Sequence, residues 1–520
     1  MQMAHKKIFL PKKTDKHYKS SRHTRYMTDR LQTLNSFLQQ QGFVWGPAPE
    51  IYGGLAGFYT YGPNGASLKR KVENRIREVF ARYAVMEVEV PTILPKEVWE
   101  ASGHLENFTD PLIKDEHDNI WRADNLIEDY YREHDINTPV PVNAEEIKRV
   151  IKEHNITSPN GAKLVGEVTA HNLMMKTTIG TDQEAYNRPE TATATYLPFL
   201  RYKDYFRKKL PFGVFQIGKA YRNEISPRQH LVRMREFTQA EAQIFIDPAH
   251  KNDYEHYKKI KDEQLPILSW SDQEAGKQPV DMSVSDAREK ELFGSDAYAF
   301  TVHLAYELFT SFGIPKEHIR LRQHGDEEKA FYATDAWDVE INVPTFGWIE
   351  ACGVHDRGDY DLTQHAKHSG QEQTIFVQEH KKHITPHVLE IAFGVDRPVY
   401  ALLDIFYEEK DEEQGKTTFK LPYDLAPIDV TVLPLHKKLT EKAKEVYSLL
   451  QQEGFITNYD ESGSIGKRYL RASMVGTPYC VTIDFETVEE DEKVTVRDRD
   501  SEEQERVAIT QLPTYLRQKH

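Results

Sequence analysis

Hydrophobic positions recur along the chain with two periods, and the places where the period changes outline its elements. Leu31, Leu34, Phe37 and Leu38 stand at helical spacing within residues 28–41, which predicts an amphipathic helix. A glycine-dense stretch follows, Tyr52-Gly53-Gly54-Leu55-Ala56-Gly57-Phe58, then the turn signal Gly62-Pro63-Asn64-Gly65. Leu68, Val72, Ile76, Val79, Phe80 and Tyr83 form one stripe of a second helix. Lys69, Arg70, Arg75, Arg77 and Arg82 fall largely outside that stripe, on a face expected to be solvated. Met86-Glu87-Val88-Glu89-Val90 alternates with period two and stops at Pro91, as a strand end does.

Two polar stretches, residues 126–171 and 247–296, interrupt stronger patterns and read as insertions on a β-rich core. Residues 407–414 are acidic and 415–423 read as a linker. The rhythm then changes. Ile428, Val430 and Val432 alternate as a strand, and Leu439, Ala443, Val446, Leu449 and Leu450 suit a helix. A short strand near Ile456, a turn at Gly463 and another helix come next. Val481, Ile483 and Phe485 predict a further strand, and Val494 and Val496 begin one more. Alternation of strand and helix predicts a separate α/β domain over residues 424–520. The expected division is a basic arm over residues 1–25, a core over 26–423 carrying both insertions, and this C-terminal domain.

Composition narrows the function. A chain of 520 residues is too long for one core. Its net charge of −15 argues against a general nucleic-acid coater, yet a local basic face can still bind a specific RNA. No apolar run approaches the roughly 18–20 residues that span a bilayer, and the arm lacks the apolar stretch of a secretory signal. Cys352 and Cys480 are the two cysteines, far apart, so neither a disulfide framework nor a cysteine-based zinc site is expected. The expected location is cytoplasmic.

Four clusters carry candidate chemistry. They are Arg188-Pro189-Glu190-Thr191-Ala192; Gly218 to Glu224 with Arg228, Arg233 and Arg235 to Glu241; Gly347-Trp348-Ile349-Glu350 with Asp356-Arg357; and Glu390 to Arg397. In the second, Tyr221–Glu224 and Arg233–Glu241 flank Ser226-Pro227, the layout of two antiparallel strands and a loop. Arginine carries a fixed fork of donors and a permanent charge, which suits phosphate oxygens, and Phe237 could stack on a planar base. A surface ion-pair hairpin is the other reading. In the fourth, Arg397 stands where a strand enters a buried helix, and a helix-start pair with Asp396 is the structural alternative. Walker and Rossmann glycine loops are absent from the sequence, so a nucleotide would be bound by another scheme.

Arg222-Asn223-Glu224 with Arg235-Glu236-Phe237, and Gly394-Val395-Asp396-Arg397, resemble motifs 2 and 3 of class II aminoacyl-tRNA synthetases, and the stretch ending Val88-Glu89-Val90-Pro91 resembles motif 1. Further pieces resemble the dimeric glycyl-tRNA synthetase family: Gly57 to Leu68, Ala101-Ser102-Gly103-His104, Trp121-Arg122-Ala123-Asp124, Asn172-Leu173-Met174, Arg188 to Ala192, Gln216 to Lys219, Gly347 to Glu350 and Asp460 to Gly466.

The resemblance implies an α+β catalytic domain, with a six- to seven-stranded antiparallel sheet and flanking helices, followed by an α/β anticodon-binding domain. It implies ATP-dependent attachment of glycine to tRNA through an adenylate, in a homodimer formed through the motif 1 region. ATP would be held by Arg222, Asn223, Glu224, Val232, Arg233, Phe237, Glu350, Ala351, Gly394, Asp396 and Arg397. Arg222 and Arg397 would act catalytically, and Glu350 would hold magnesium. Glycine would be held by Arg122, Glu190, Phe237, Gln239, Glu241, Glu390, Ala392 and Gly394. Ile391-Ala392 replaces the family's usual Pro-Ser, and Thr193-Ala194 its usual Gln-Gly. Lys114 to Asp118 lacks the cysteines of many bacterial relatives, so no zinc is expected. The alternatives are a same-fold synthetase for another small amino acid and a non-catalytic accessory subunit.

Overall fold

Strand-forming segments separated by long stretches of sequence assemble into one mixed sheet. The structure, a computed structural model, describes residues 30–519 apart from 135, 137, 139, 142, 226, 228, 327, 331 and 409–416. The expected basic arm, residues 1–25, lies outside the described residues, as does most of the acidic segment 407–414. Two compact units are distinguished, the smaller built on Pro111–Thr169, the larger on Leu38–Asp110, Ala170–Val343 and Gly347–His520.

In the larger unit, β1 (Val85–Glu87), β2 (Phe212–Tyr221), β3 (Glu236–Ile246), β4 (Gln264–Leu268), β5 (Val280–Ser283), β6 (Ile319–Gln323), β7 (Asp335–Val343), β8 (Gly347–Gly358) and β9 (His387–Gly394) form a nine-stranded sheet. Its order is β5-β4-β6-β7-β8-β9-β3-β2-β1. Pairing is antiparallel except between β1 and β2 and between β4 and β6. The sheet exceeds the expected six or seven strands because residues 247–296, read as an insertion, supply β4 and β5 at one edge.

The central strands β3, β9 and β8 are where alternation matters. On β9, Phe393 meets Phe309 of helix α2 (Asp296–Ser311), ring centroids 5.4 Å apart, so that face is the packed back of the sheet. Residues one position out of phase, such as Glu390 and Ala392, face the other way. Ser295 caps α2 by accepting the Tyr298 N–H, and almost every side chain of this helix is buried.

Helix α1 (Pro63–Arg82) buries the predicted stripe, with proline at its first position. Lys69 departs from expectation. Rather than facing water it is 8% exposed, its ammonium 2.9 Å from Asp396 Oδ1 and 2.5 Å from Thr238 Oγ1. Asp396 opens helix α3 (Asp396–Ile405) and also accepts the Thr238 N–H at 2.7 Å and the Tyr61 hydroxyl at 2.5 Å. Helix-face periodicity cannot reveal such a pair, because its partner lies 327 positions away.

Other expectations shift in extent. The strand read over Met86–Val90 is shorter: β1 ends at Glu87, and Val88 adds one further N–H bond to Phe215. The predicted hairpin has longer strands and a wider loop. β2 ends at Tyr221 and β3 starts at Glu236, so Arg222, Glu224 and Arg233 lie in the connection, which contains a helical turn at His230–Val232.

The C-terminal segment forms a five-stranded sheet from β10 (Val430–Pro434), β11 (Thr457–Tyr459), β12 (Tyr479–Ile483), β13 (Lys493–Asp498) and β14 (Gln504–Ala508), ordered β11-β10-β12-β13-β14. β10 pairs parallel with both β11 and β12, as α/β crossovers require. Helices α4 (Thr440–Gln452), α5 (Ile465–Met474) and α6 (Leu512–Lys519) accompany it, and Val430, Val432, Ala443, Val446, Leu450, Val481 and Leu516 share its core. Phe485, expected on a strand, lies past the end of β12 and is exposed.

The smaller unit has its own core. Asn143 caps the helix Ala144–Glu153 by accepting the Glu145 N–H at 2.8 Å, and Ile147, Val150 and Ile151 point inward. They meet Leu126 and Ile127 of the helix Ala123–Glu133 and Trp121, whose indole donates to Asp115 at 2.9 Å. The polar stretch 126–171 thus folds around a small apolar centre.

Candidate active site

Side chains on the open face of β3, β9 and β8 line a cavity of about 220 Å³. The register sets them in rows. Glu241 pairs with Ala392, which pairs with Gly353; Gln243 pairs with Glu390, which pairs with His355. Gln239 pairs with Gly394 in the row above. Each strand contributes every second residue, so one face presents Phe237, Gln239 and Glu241 together.

Glu190 enters from the loop before the short helix Ala192–Tyr196. Thr193 Oγ1 donates to its carboxylate at 2.7 Å, and Arg188, buried two positions earlier, donates to Lys219 O at 2.7 Å and Gln216 Oε1 at 3.1 Å. The guanidinium crosses Gly218, where a Cβ would lie 2.2 Å from Nη2, so a side chain there would displace the buried guanidinium.

The three glutamates occupy unequal environments. Glu390 accepts from Tyr196 Oη at 3.0 Å, Gln243 at 2.8 Å and Arg357 at 3.1 Å, and His355 Nδ1 lies 3.0 Å from it. Burial alone would raise its pKa, but the Arg357 charge and His355 outweigh burial and bring it down to about 2. Burial likewise raises Glu190, but His104, 3.5 Å away, and Arg357 hold its carboxyl well below the usual range. Glu241 goes the other way. Burial first, then the charges of Glu190 and Glu390, push it well above the usual range, although Thr191 donates to it at 2.7 Å and Gln239 at 2.5 Å. Arg357 is itself clamped by Asp361 through bonds of 2.7 and 2.8 Å and lies 3.7 Å from the Tyr332 ring centroid. A compact cation placed here would meet Glu190 and Glu390 as carboxylates and a Glu241 that burial and those two charges keep protonated until the cation offsets them.

The mouth of the cavity is cationic. Arg222 sits between two rings, its guanidinium carbon 5.3 Å from both the Phe108 and the Phe237 centroids, and its Nε donates to Pro189 O at 3.1 Å. Arg233 lies 3.6 Å from Glu224. Arg397 does not pair with Asp396; it donates to Glu350 through the backbone oxygen at 2.6 Å and Oε1 at 3.2 Å. That charge holds Glu350 below the usual carboxylate range. The cavity thus combines an acidic floor with a basic, aromatic rim.

A model described as the tRNA synthetase class II core domain (G, H, P, S and T) matches residues 176–268, and one described as the anticodon binding domain matches residues 429–519. Glycine–tRNA ligases of Thermococcus gammatolerans and Pyrococcus horikoshii are each 39% identical to the chain, over 94% of it and 98% of the relative. The chain belongs to the glycine–tRNA ligase family. Its fold also resembles a solved threonyl-tRNA synthetase RNA-binding domain of Cryptosporidium parvum, with a TM-score of 0.58 at 17% identity, covering 94% of this chain and 97% of that one. A prolyl-tRNA synthetase structure from the same organism gives 0.55 at 12% identity, covering 94% and 76%.

Of the residues singled out for this ligase-family site, Arg222, Glu224, Val232, Arg233, Phe237, Glu350, Ala351, Gly394, Asp396 and Arg397 line the cavity together with Glu190, Gln239, Glu241, Glu390 and Ala392. Asn223 is adjacent in the loop, its N–H donating to Leu173 O at 2.8 Å. Arg122 belongs to the smaller unit, where it pairs with Asp124. Asp396, expected on the nucleotide, is 2% exposed and committed to Lys69, Tyr61 and Thr238. Sequence reasoning passed over His104, Tyr196, Tyr332 and His355 as site residues. His355 had a usable signal: Ala351, Gly353, His355 and Arg357 alternate on one strand.

Proposed function

We propose that this chain activates glycine with ATP in this cavity and transfers it to tRNA. The observation that carries the reading is the row register, which sets Glu241, Ala392 and Gly353 side by side beneath Arg222 and Arg397. The glutamates would receive the α-ammonium, and the three carboxyl groups crowded around it would leave little room for a Cβ on the substrate.

With the ammonium held below, the glycine carboxylate points to the rim. One carboxylate oxygen attacks the α-phosphorus, pyrophosphate departs, and the mixed anhydride is glycyl-adenylate. Arg222 would neutralise charge on the α-phosphate, Phe237 would support the adenine ring and Glu224 would meet its amino group. Arg397 would cover the opposite face. A ribose hydroxyl of the tRNA end then attacks the carbonyl and AMP leaves. No side chain need act as a nucleophile; alignment and charge neutralisation supply the rate. Class II synthetases use ATP with magnesium, and Glu350, ionised beside Arg397, is a hard oxygen donor suited to that ion, which would supply further neutralisation of phosphate charge.

The C-terminal domain would take the anticodon side of the tRNA, and a second copy of the chain would pair through the region around β1. Charging of tRNA with labelled glycine by the full chain tests the reading. Accumulation of glycyl-tRNA with wild type and its collapse with Arg222→Ala are expected; a wild type that charges no tRNA with glycine would contradict it.

A further inference from the structure

At the end of β3 remote from the glutamates, the chain leaves the sheet through Asp247, six positions beyond Glu241 and roughly 20 Å along the strand direction. A separate group of donors gathers there. Among the described residues, Asp247, His250 and His380 place one potential ligand atom each within 4.8 Å of one another. Asp247 is buried, and its Oδ1 accepts the Ala249 N–H at 2.9 Å, which fixes the carboxylate and leaves Oδ2 for other partners. Both imidazoles converge on that one oxygen, His380 Nε2 at 3.0 Å and His250 Nδ1 at 3.9 Å.

Asp247 holds the first ring at hydrogen-bonding distance and the second at a longer ion-pair distance. A separation of 3.9 Å is too long for a hydrogen bond. Two ligands of a tetrahedral zinc, each bonded at about 2.0–2.1 Å, stand about 3.3 Å apart; the two observed separations bracket that value. The other nitrogen of His250, Nε2, lies 3.4 Å from Glu379 Oε2. A carboxylate on the far nitrogen of a ligating histidine is the usual device that fixes its tautomer and orientation.

We propose that Asp247, His250 and His380 form a binding site for a divalent transition metal, with Zn²⁺ the best match to two imidazoles and a carboxylate, and with water in the fourth position. The expectation of no zinc rested on the missing cysteines and does not bear on this nitrogen–oxygen set. His380 lies in the turn of the hairpin Ile375–Val377/Lys382–Ile384, 133 positions from Asp247. A metal would tie that hairpin to the end of β3, a stabilising role apart from the reaction.

The full chain, stripped with chelator and dialysed, is titrated with Zn²⁺ against a chromophoric competitor, and its melting temperature is followed with and without the metal. His380→Ala and His250→Ala should each bind about one equivalent less than wild type and lose most of the zinc-dependent rise in melting temperature. Glu379→Ala should weaken binding about tenfold. His383→Ala serves as the control: it is on the same hairpin, its ring packed against Phe376, and it should behave as wild type. Circular dichroism of the metal-free variants reports on their folding. Equal stoichiometry and equal thermal response in wild type and a folded His380→Ala protein would overturn the proposal, zinc then residing on other side chains. A wild type that takes up no zinc would overturn it as well.

Discussion

Arg222 shows how much rests on single side chains. Held between Phe108 and Phe237 at the rim, its charge is positioned before any phosphate arrives. Loss of one preorganised charge-stabilising group costs about 3–4 kcal/mol of transition-state stabilisation. Arg222→Ala should therefore lower glycine-dependent pyrophosphate exchange several-hundred-fold with a native circular dichroism spectrum; near-normal exchange would remove Arg222 from the mechanism. Glu241 gives a test of opposite sign. Its folded pKa is raised, so the stability it contributes is complete below the ordinary glutamate value of about 4.3 and is lost as pH rises through the folded value. Glu241→Gln removes that loss. It should melt higher than wild type at pH 8, with the gap closing near pH 4, while glycine activation falls. A variant that melts lower than wild type at pH 8 would contradict the assignment. Glu390 has the reverse linkage, its contribution disappearing as pH falls from the ordinary glutamate value toward about 2.

At the scale of elements, α1 does more than cover the sheet. Through Lys69 it reaches Asp396 at the start of α3 and Thr238 on β3, fixing the turn from which Arg397 extends. Removing one partner of a buried pair strands the other charge, at a cost of about 3–5 kcal/mol. Lys69→Met, which keeps the stem's volume, should destabilise the chain by that order in denaturant unfolding, and adding Asp396→Asn should recover part of it. A change under about 0.5 kcal/mol would place the pair among the inconsequential ones. The site's strands were legible because alternation and side-chain type coincide: Gln239 and Glu241, and likewise Glu390, Ala392 and Gly394, are polar or small where a buried strand is otherwise apolar. Lys69 was not legible, since a cation beside an apolar helix stripe is ordinarily solvated. His380 was not legible either, its partners lying in a different segment with no spacing pattern to connect them. β4 and β5 escaped notice because they are short, five and four residues, and lie within the otherwise polar stretch 247–296 that reads as an insertion.

For the whole molecule, division of labour between the catalytic region and the C-terminal domain predicts separable activities. The junction is well made: Lys71 of α1 bonds Asp429 at 2.5 Å and Ala426 O at 2.6 Å, and the Tyr423 hydroxyl reaches Asp498 at 3.0 Å. A chain ending near Tyr423 should melt at a lower temperature, keep much of its pyrophosphate exchange and charge tRNA poorly. Equal loss of both activities in a soluble truncated protein would count against the division. The central claim, that this cavity binds glycine by its ammonium and refuses a Cβ, is tested most directly by pyrophosphate exchange across glycine, alanine and serine. The account predicts a kcat/KM for glycine far above both others, with Ala392→Ser leaving that order intact. A higher kcat/KM for alanine or serine would contradict it.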